Sequence, residues 1–277
     1  MLIRLGYDIH FQVATSVPMI AHLNVHSSRT LDLVEPDQLR IEPAVEIEQY
    51  QDSFGNLASR FLLPPGRTRL RSSFLIEDSG GPDPQDPQAE EVPVDRLPAE
   101  TLRYLLASRY CEVDLLLDTV TELFGNSPRG WGRVQTICDW VNQHVTFGYE
   151  HARSSKSALE VYNERLGVCR DFQHLAVTFC RCLNVPARYA TGILGDIGVP
   201  PRSPMDFSAW FGAFLDGRWW TFDARQNAPR IGRVLMAVGR DATDVAITTS
   251  FGSARLVQFD VVTDEDSDRD LSMGRGA

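Results

Sequence analysis

Arg165-Leu-Gly-Val-Cys-Arg-Asp-Phe-Gln-His174, continuing as Leu-Ala-Val-Thr-Phe-Cys-Arg-Cys-Leu183, is the stretch that decides the fold. From Phe172 the apolar residues recur at Leu175, Ala176, Phe179, Cys180 and Leu183, the spacing of a helix with a broad buried face. Gly167 supplies a sharp turn ahead of it. Cys169 therefore stands at the first helical turn, where free backbone N–H groups and the positive end of the helix dipole favour a thiolate. Asn184-Val-Pro186 ends the helix, because proline cannot continue it and restricts the residue before it. A lone cysteine at a helix start is most often an inert packing residue, so its surroundings decide.

Downstream, Ala187-Arg-Tyr-Ala-Thr-Gly-Ile-Leu194 reads as a strand, and Gly195 to Pro204 as a glycine- and proline-rich loop bordering a cleft. Phe207 to Asp223 reads as two strands around Asp216-Gly217, a strong two-residue hairpin signal. That turn sets residue 210 opposite Asp223, with residue 208 diagonally beside it on the same face. Further strands follow at Val234–Val238 and Val245–Thr249, with a closing one at Leu256–Val262.

Upstream, residues 1–77 alternate apolar and polar in short runs broken by turn residues such as Gly55-Asn56 and Pro64-Pro65-Gly66, the pattern of an antiparallel sandwich. Residues 78–97, rich in proline, glycine and acid, read as a linker. Leu97-Pro98 opens a helical segment, and Ser157-Ala-Leu-Glu160 has the form of a capping box.

The 277 residues carry a net charge of −10, which argues against a nucleic-acid or anionic-membrane partner. No apolar run of about 18 residues is present, and the N-terminus turns polar too early for a secretory signal. The five cysteines are an odd number without scaffold spacing, so reduced thiols in the cytoplasm are expected. His10, His22 and His26 lack partners at metal spacing, and no oxygen-rich calcium loop is visible. Neither a metal nor a cofactor is expected.

Gly167-Val-Cys169-Arg-Asp171, the helix after it and Asn184-Val-Pro-Ala-Arg-Tyr-Ala-Thr-Gly192 closely resemble the core of the transglutaminase-like superfamily, which shares the papain-type cysteine-enzyme fold. The resemblance continues through Met205-Asp-Phe-Ser-Ala-Trp-Phe-Gly212, Asp223-Ala-Arg225, Arg230-Ile-Gly-Arg233 and Gly239-Arg-Asp-Ala-Thr-Asp-Val-Ala246. It also covers the N-terminal region, similar to the β domain that precedes the core in bacterial members. It implies an α+β protein with a sandwich-like antiparallel β domain at 1–77 and a linker at 78–97. A papain-like transglutaminase core follows at 98–263, its cysteine at a helix N-terminus packed on an antiparallel sheet, and 264–277 form a flexible tail.

The resemblance also implies a Cys-His-Asp triad, with Cys169 as nucleophile and Asp223 as the orienting carboxylate. The histidine position is Ser208 and the glutamate position after it is Gly212. A hydroxyl has no useful basicity, so Ser208 can neither take the thiol proton nor return it to a leaving amine. Loss of a triad member costs roughly four to six orders of magnitude in rate. His174 lies five residues beyond Cys169, about 140° around the helix, and is read as structural. His144 and His151 precede the cysteine helix as weaker substitutes. Tyr149, Trp210 and Gly212 are the candidate substrate-groove positions. Three functions compete. The favoured one is a degenerate member, a pseudoenzyme, binding a peptide or protein acyl-type ligand in the cleft. The second is a cysteine protease, amidase or acyltransferase working through a Cys169 thioester with another base. The third is a structural or interaction protein acting through the β domain.

Overall fold

A computed structural model describes residues 1–201 and 205–266. The end of the expected cleft loop, 202–204, and most of the expected tail, 267–277, lie outside the described residues. Six strands come first: β1 (Leu2–Val13), β2 (Val17–Ala21), β3 (Arg40–Glu42), β4 (Ile47–Gln51), β5 (Leu57–Leu63) and β6 (Gly66–Glu77). β1 buries Leu5, Tyr7, Ile9, Phe11 and Val13 at alternate positions and pairs with β6 along its whole length. The Gly-Asn signal marks the β4–β5 turn. There Asp52 accepts hydrogen bonds from the Phe54 and Asn56 N–H groups at 2.8 and 2.9 Å.

The helical segment expected from Leu97 forms only short 3₁₀ turns at Val94–Arg96 and Ala99–Tyr104. Regular helix begins at α1 (Val113–Phe124), followed by α2 (Trp131–His144). A short strand β7 (Thr146–Phe147) then leads to α3 (Ala158–Glu164), β8 (Leu166–Gly167) and the cysteine helix α4 (Cys169–Cys182). The capping box holds: the Ser157 N–H donates to Glu160 at 2.9 Å.

Six more strands follow among the described residues: β9 (Ala187–Leu194), β10 (Phe207–Leu215), β11 (Arg218–Phe222), β12 (Arg233–Gly239), β13 (Thr248–Ser250) and β14 (Arg255–Glu265). The core sheet runs β11-β10-β9-β12. On one face, Phe211 and Ala213 pack in the same core as Phe172, Leu175 and Phe179 of α4. Asp216 and Gly217, at φ +47° and +75°, make the hairpin turn. The register pairs Phe211 with Phe222 and Leu215 with Arg218, as the sequence predicts.

The α+β architecture is therefore as expected, but one connection differs. Residues 256–262, read as closing the core, lie in β14, which pairs with β1, while β13 pairs with β2. β1 bonds β6 along one edge only, and a bare second edge would leave a long row of backbone groups unpaired. Residues 78–97, the expected linker, pack along the segment that follows. Ala89 is buried, and Glu91 forms ion pairs with Arg129 and Arg133 at 2.8 and 3.1 Å. No helix among the described residues is long and apolar enough to cross a membrane.

Candidate active site

The cysteine is delivered by a tightly wound approach. α3 ends at Arg165, whose φ of +60° is left-handed. Leu166-Gly167 then run parallel to Thr146-Phe147. Gly167 itself is not left-handed; a Cβ there would lie 2.7 Å from the Asp171 Cβ. The glycine is required for close approach, not for an unusual φ. Asp171 in turn accepts the Val168 N–H at 3.0 Å and an Arg170 N–H at 3.0 Å, capping α4 and forming the expected framework ion pair.

Cys169 opens into a small cleft that Tyr149, Asp206, Ser208, Arg225 and Arg230 also line. It encloses about 50 Å³, room for a few waters. Ser208 reaches it because β11 pairs with β10 only from Phe211 onward, leaving the earlier edge of β10 uncovered. The helix start was expected to favour a thiolate. Burial instead pushes the thiol up to about 11; Arg225 opposes the shift, and Asp206 and Asp223 add to it. The dipole is a first-turn effect of modest size, and desolvation of the anion outweighs it. Burial likewise raises the Asp206 carboxyl.

Asp223 is engaged on both oxygens. Oδ1 accepts from Gln173 Nε2 at 2.9 Å and from the Arg225 and Gln226 N–H groups at 3.0 Å. Oδ2 accepts from Arg233 Nη2 at 3.1 Å. Gln173, Arg225 and Arg233 carry no site role in the sequence reading, although Arg225 and Arg233 lie in stretches that carry the resemblance. Gln173 also had a local signal, being one helical turn beyond Cys169 and hence on a neighbouring face.

None of the six histidines, all among the described residues, lines the cleft. His174 is fully buried and stacked on Tyr110 with ring centroids 4.9 Å apart. Its Nε2 accepts the Ala242 N–H at 3.1 Å, and burial pushes its pKa down to about 3. His144 stacks on Trp140 at 4.2 Å, and His151 lies 3.6 Å from Glu150. Of the three groove candidates, Tyr149 is at the cleft, whereas Trp210 and Gly212 line a different cavity. The pleat accounts for this: Phe211 and Ala213 face the α4 core and Ala209 lies in the cluster that Cys169 packs on, so Trp210 and Gly212 point to the opposite face. Ser208, on their side, borders the cleft only because it stands at the uncovered end of β10.

Residues 118–224 match the family described as the transglutaminase-like superfamily. A crystal structure from Cytophaga hutchinsonii, described as a "Putative Cysteine Protease", is 30% identical with a TM-score of 0.84, covering 96% of this chain and 92% of that one. The chain belongs to the transglutaminase-like superfamily. An uncharacterised protein of Mycobacterium leprae is 24% identical over 249 residues, 86% of this chain and 88% of that one. The periplasmic domain of TgpA from Pseudomonas aeruginosa is 15% identical with a TM-score of 0.37, covering 79% of this chain and 75% of that one.

Within that superfamily fold, the cleft gathers a thiol, two guanidiniums and two carboxyls, of which Arg230 and Asp196 pair with each other. It can hold a polar acyl or amide group against Cys169 and Arg225. It offers no imidazole to move a proton between thiol and leaving group.

Proposed function

We propose that this transglutaminase-like protein holds a peptide or protein acyl group in the Cys169 cleft and turns it over slowly or not at all. The observation that carries this reading is the absence of all six histidines from the lining of the cleft. A thiol at about 11 is ionised only to about one part in ten thousand at pH 7. Asp223, which would orient an imidazole, is occupied by Gln173 and Arg233. Tyr149, 46% exposed, offers the ligand an open wall. The five cysteines are all free, which suits a reducing compartment, and we assign the protein to the cytoplasm.

A second reading rests on Asp206. In a cysteine hydrolase or acyltransferase, the sulfur bonds the acyl carbon, the amine departs, and a proton must reach that amine. Asp206 is a carboxyl raised by burial in the same cleft, so it is the group that would carry that proton. The deciding experiment is iodoacetamide labelling of Cys169 in native protein across pH, read by peptide mass spectrometry, with Ser208→His alongside. The proposal expects half-maximal reactivity above pH 9 and a downward shift in Ser208→His. Half-maximal reactivity well below pH 8 in the native protein would overturn it and establish an activated nucleophile.

A further inference from the structure

A cavity of about 290 Å³ opens on the face of the core sheet turned away from α4. Arg188 of β9 and Gly212 of β10 are direct cross-strand partners on its floor, and Trp210 and Trp219 wall it. The Arg188 guanidinium sits 4.4 Å from the Trp219 ring centroid. It makes no ion pair or hydrogen bond with any described residue. Burial pushes it down to about 10, which leaves it charged at neutral pH.

Two further arginine N–H groups in the same wall are buried and unpartnered, Arg233 Nη1 and Arg230 Nε. Their side chains are 7% and 6% exposed. The acids of the wall are already engaged, Asp78 by Arg29 and Asp83 by Arg233. Arg188 is half-buried without a counter-charge, a position that gains from an anion, and a guanidinium fork matches a carboxylate in shape and charge. A Cβ built on Gly212 would stand 3.2 Å from Arg188 Nε. The bare glycine therefore keeps open the place beside the guanidinium.

We propose that this cavity binds a small carboxylate with a flat apolar body, its carboxylate on Arg188 and its ring against the tryptophans. The carboxylate belongs either to a free aromatic acid or to a peptide chain ending in an aromatic residue. The site stands independently of what Cys169 does.

The test is tryptophan fluorescence of the full chain, titrated with benzoate and its neutral isostere benzamide, and with Gly-Gly-Phe and its C-terminal amide. Saturable quenching by an acid but not by its amide is expected, and which acid responds identifies the source. Arg188→Gln is expected to weaken that acid about tenfold or more. Gly212→Glu, which supplies the carboxylate within the chain, is expected to abolish binding and raise the melting temperature. Where Arg188→Gln loses its native circular dichroism, Gly212→Glu decides. Equal binding of acid and amide, no binding of either acid, or an unchanged response in both variants overturns the proposal.

Discussion

The two sides of the β9–β10 pair carry two incomplete ionic arrangements. Cys169 is a thiol with no imidazole in its cleft, and Arg188 is a cation with no carboxylate of its own, the acids of its cavity being held by other arginines. They are incomplete in different ways. Around Cys169 the polar groups have satisfied one another: Asp223 holds Gln173, Arg233 and two backbone N–H groups. Around Arg188 the charge is uncompensated, and Arg233 Nη1 and Arg230 Nε, the latter on an arginine shared with the Cys169 cleft, remain buried without acceptors. A site whose groups have paired off among themselves gains little from a ligand. One left with uncompensated charge gains much, because the ligand restores what burial removed.

Arg233 joins the two regions, so it gives the largest expected effect. It pairs with Asp223 at 3.1 Å and Asp83 at 2.8 Å, with side-chain exposures of 7%, 2% and 13% for the three residues. Arg233→Met strands two carboxylates and is expected to cost about 3–5 kcal/mol in urea denaturation. A cost below about 1 kcal/mol would show that water already neutralises Asp223, and the contrast between the regions would collapse. Gly192→Ala probes the seam between them. A Cβ there would meet the Val234 carbonyl oxygen at 2.1 Å and the Trp210 ring at 2.7 Å. Backbone on one side cannot yield, so a loss of about 1–3 kcal/mol is expected from the same denaturation measurement.

Much of this arrangement is legible in the sequence wherever the cause is local. The α4 stripe, the Ser157–Glu160 cap and the Asp216-Gly217 register follow from periodicity and turn chemistry within a few residues. The helix dipole at Cys169 is equally local, but the burial that overrides it comes from elements far along the chain. Gly167 illustrates the same limit: a glycine is visible, yet its reason, contact with Asp171, needs the helix in place. The partner of β14 depends on which sheet edge is free, and the face presented by Trp210 and Gly212 on which side of the sheet α4 packs, and no local pattern specifies either. Arg188 has no sequence signal, since an arginine in a strand is ordinary until its surroundings prove to lack an acid.

A smaller effect tests whether the histidine nearest to Cys169 along α4 could serve it. His174 is held neutral by burial, with its pKa pushed from 6.5 down to about 3. Between those values the unfolded chain takes up a proton that the folded chain refuses. Stability therefore falls as pH falls through that window, by up to about 1.4 kcal/mol per pH unit. His174→Gln retains an acceptor for the Ala242 N–H and is expected to flatten this acid limb above pH 4 in urea midpoints measured stepwise. Asp241, also lowered, carries the remaining slope in the same direction at lower pH. An unchanged limb would mean that His174 protonates in the folded protein, making it available to the thiol after all.

The smallest expected effect is the most specific to the cleft. Arg225 favours the Cys169 thiolate and Asp206 disfavours it. The two therefore have opposite signs in the alkylation rate at a fixed pH below the thiol's own titration. Arg225→Gln is expected to slow iodoacetamide labelling roughly threefold, and Asp206→Asn to quicken it by a similar factor. Arg225 is fixed over the Phe147 ring at 3.8 Å, so its contribution comes from a defined place rather than from a mobile surface charge. Salt separates the two cases further, because a buried pair is screened less than an exposed one. Opposite shifts that persist at high salt would make the cleft an electrostatically closed site whose thiol is suppressed by burial and by Asp206. Slowing by both substitutions would instead mean that Asp206 receives the thiol proton, and the Cys169 side would then be a working site of unfamiliar design.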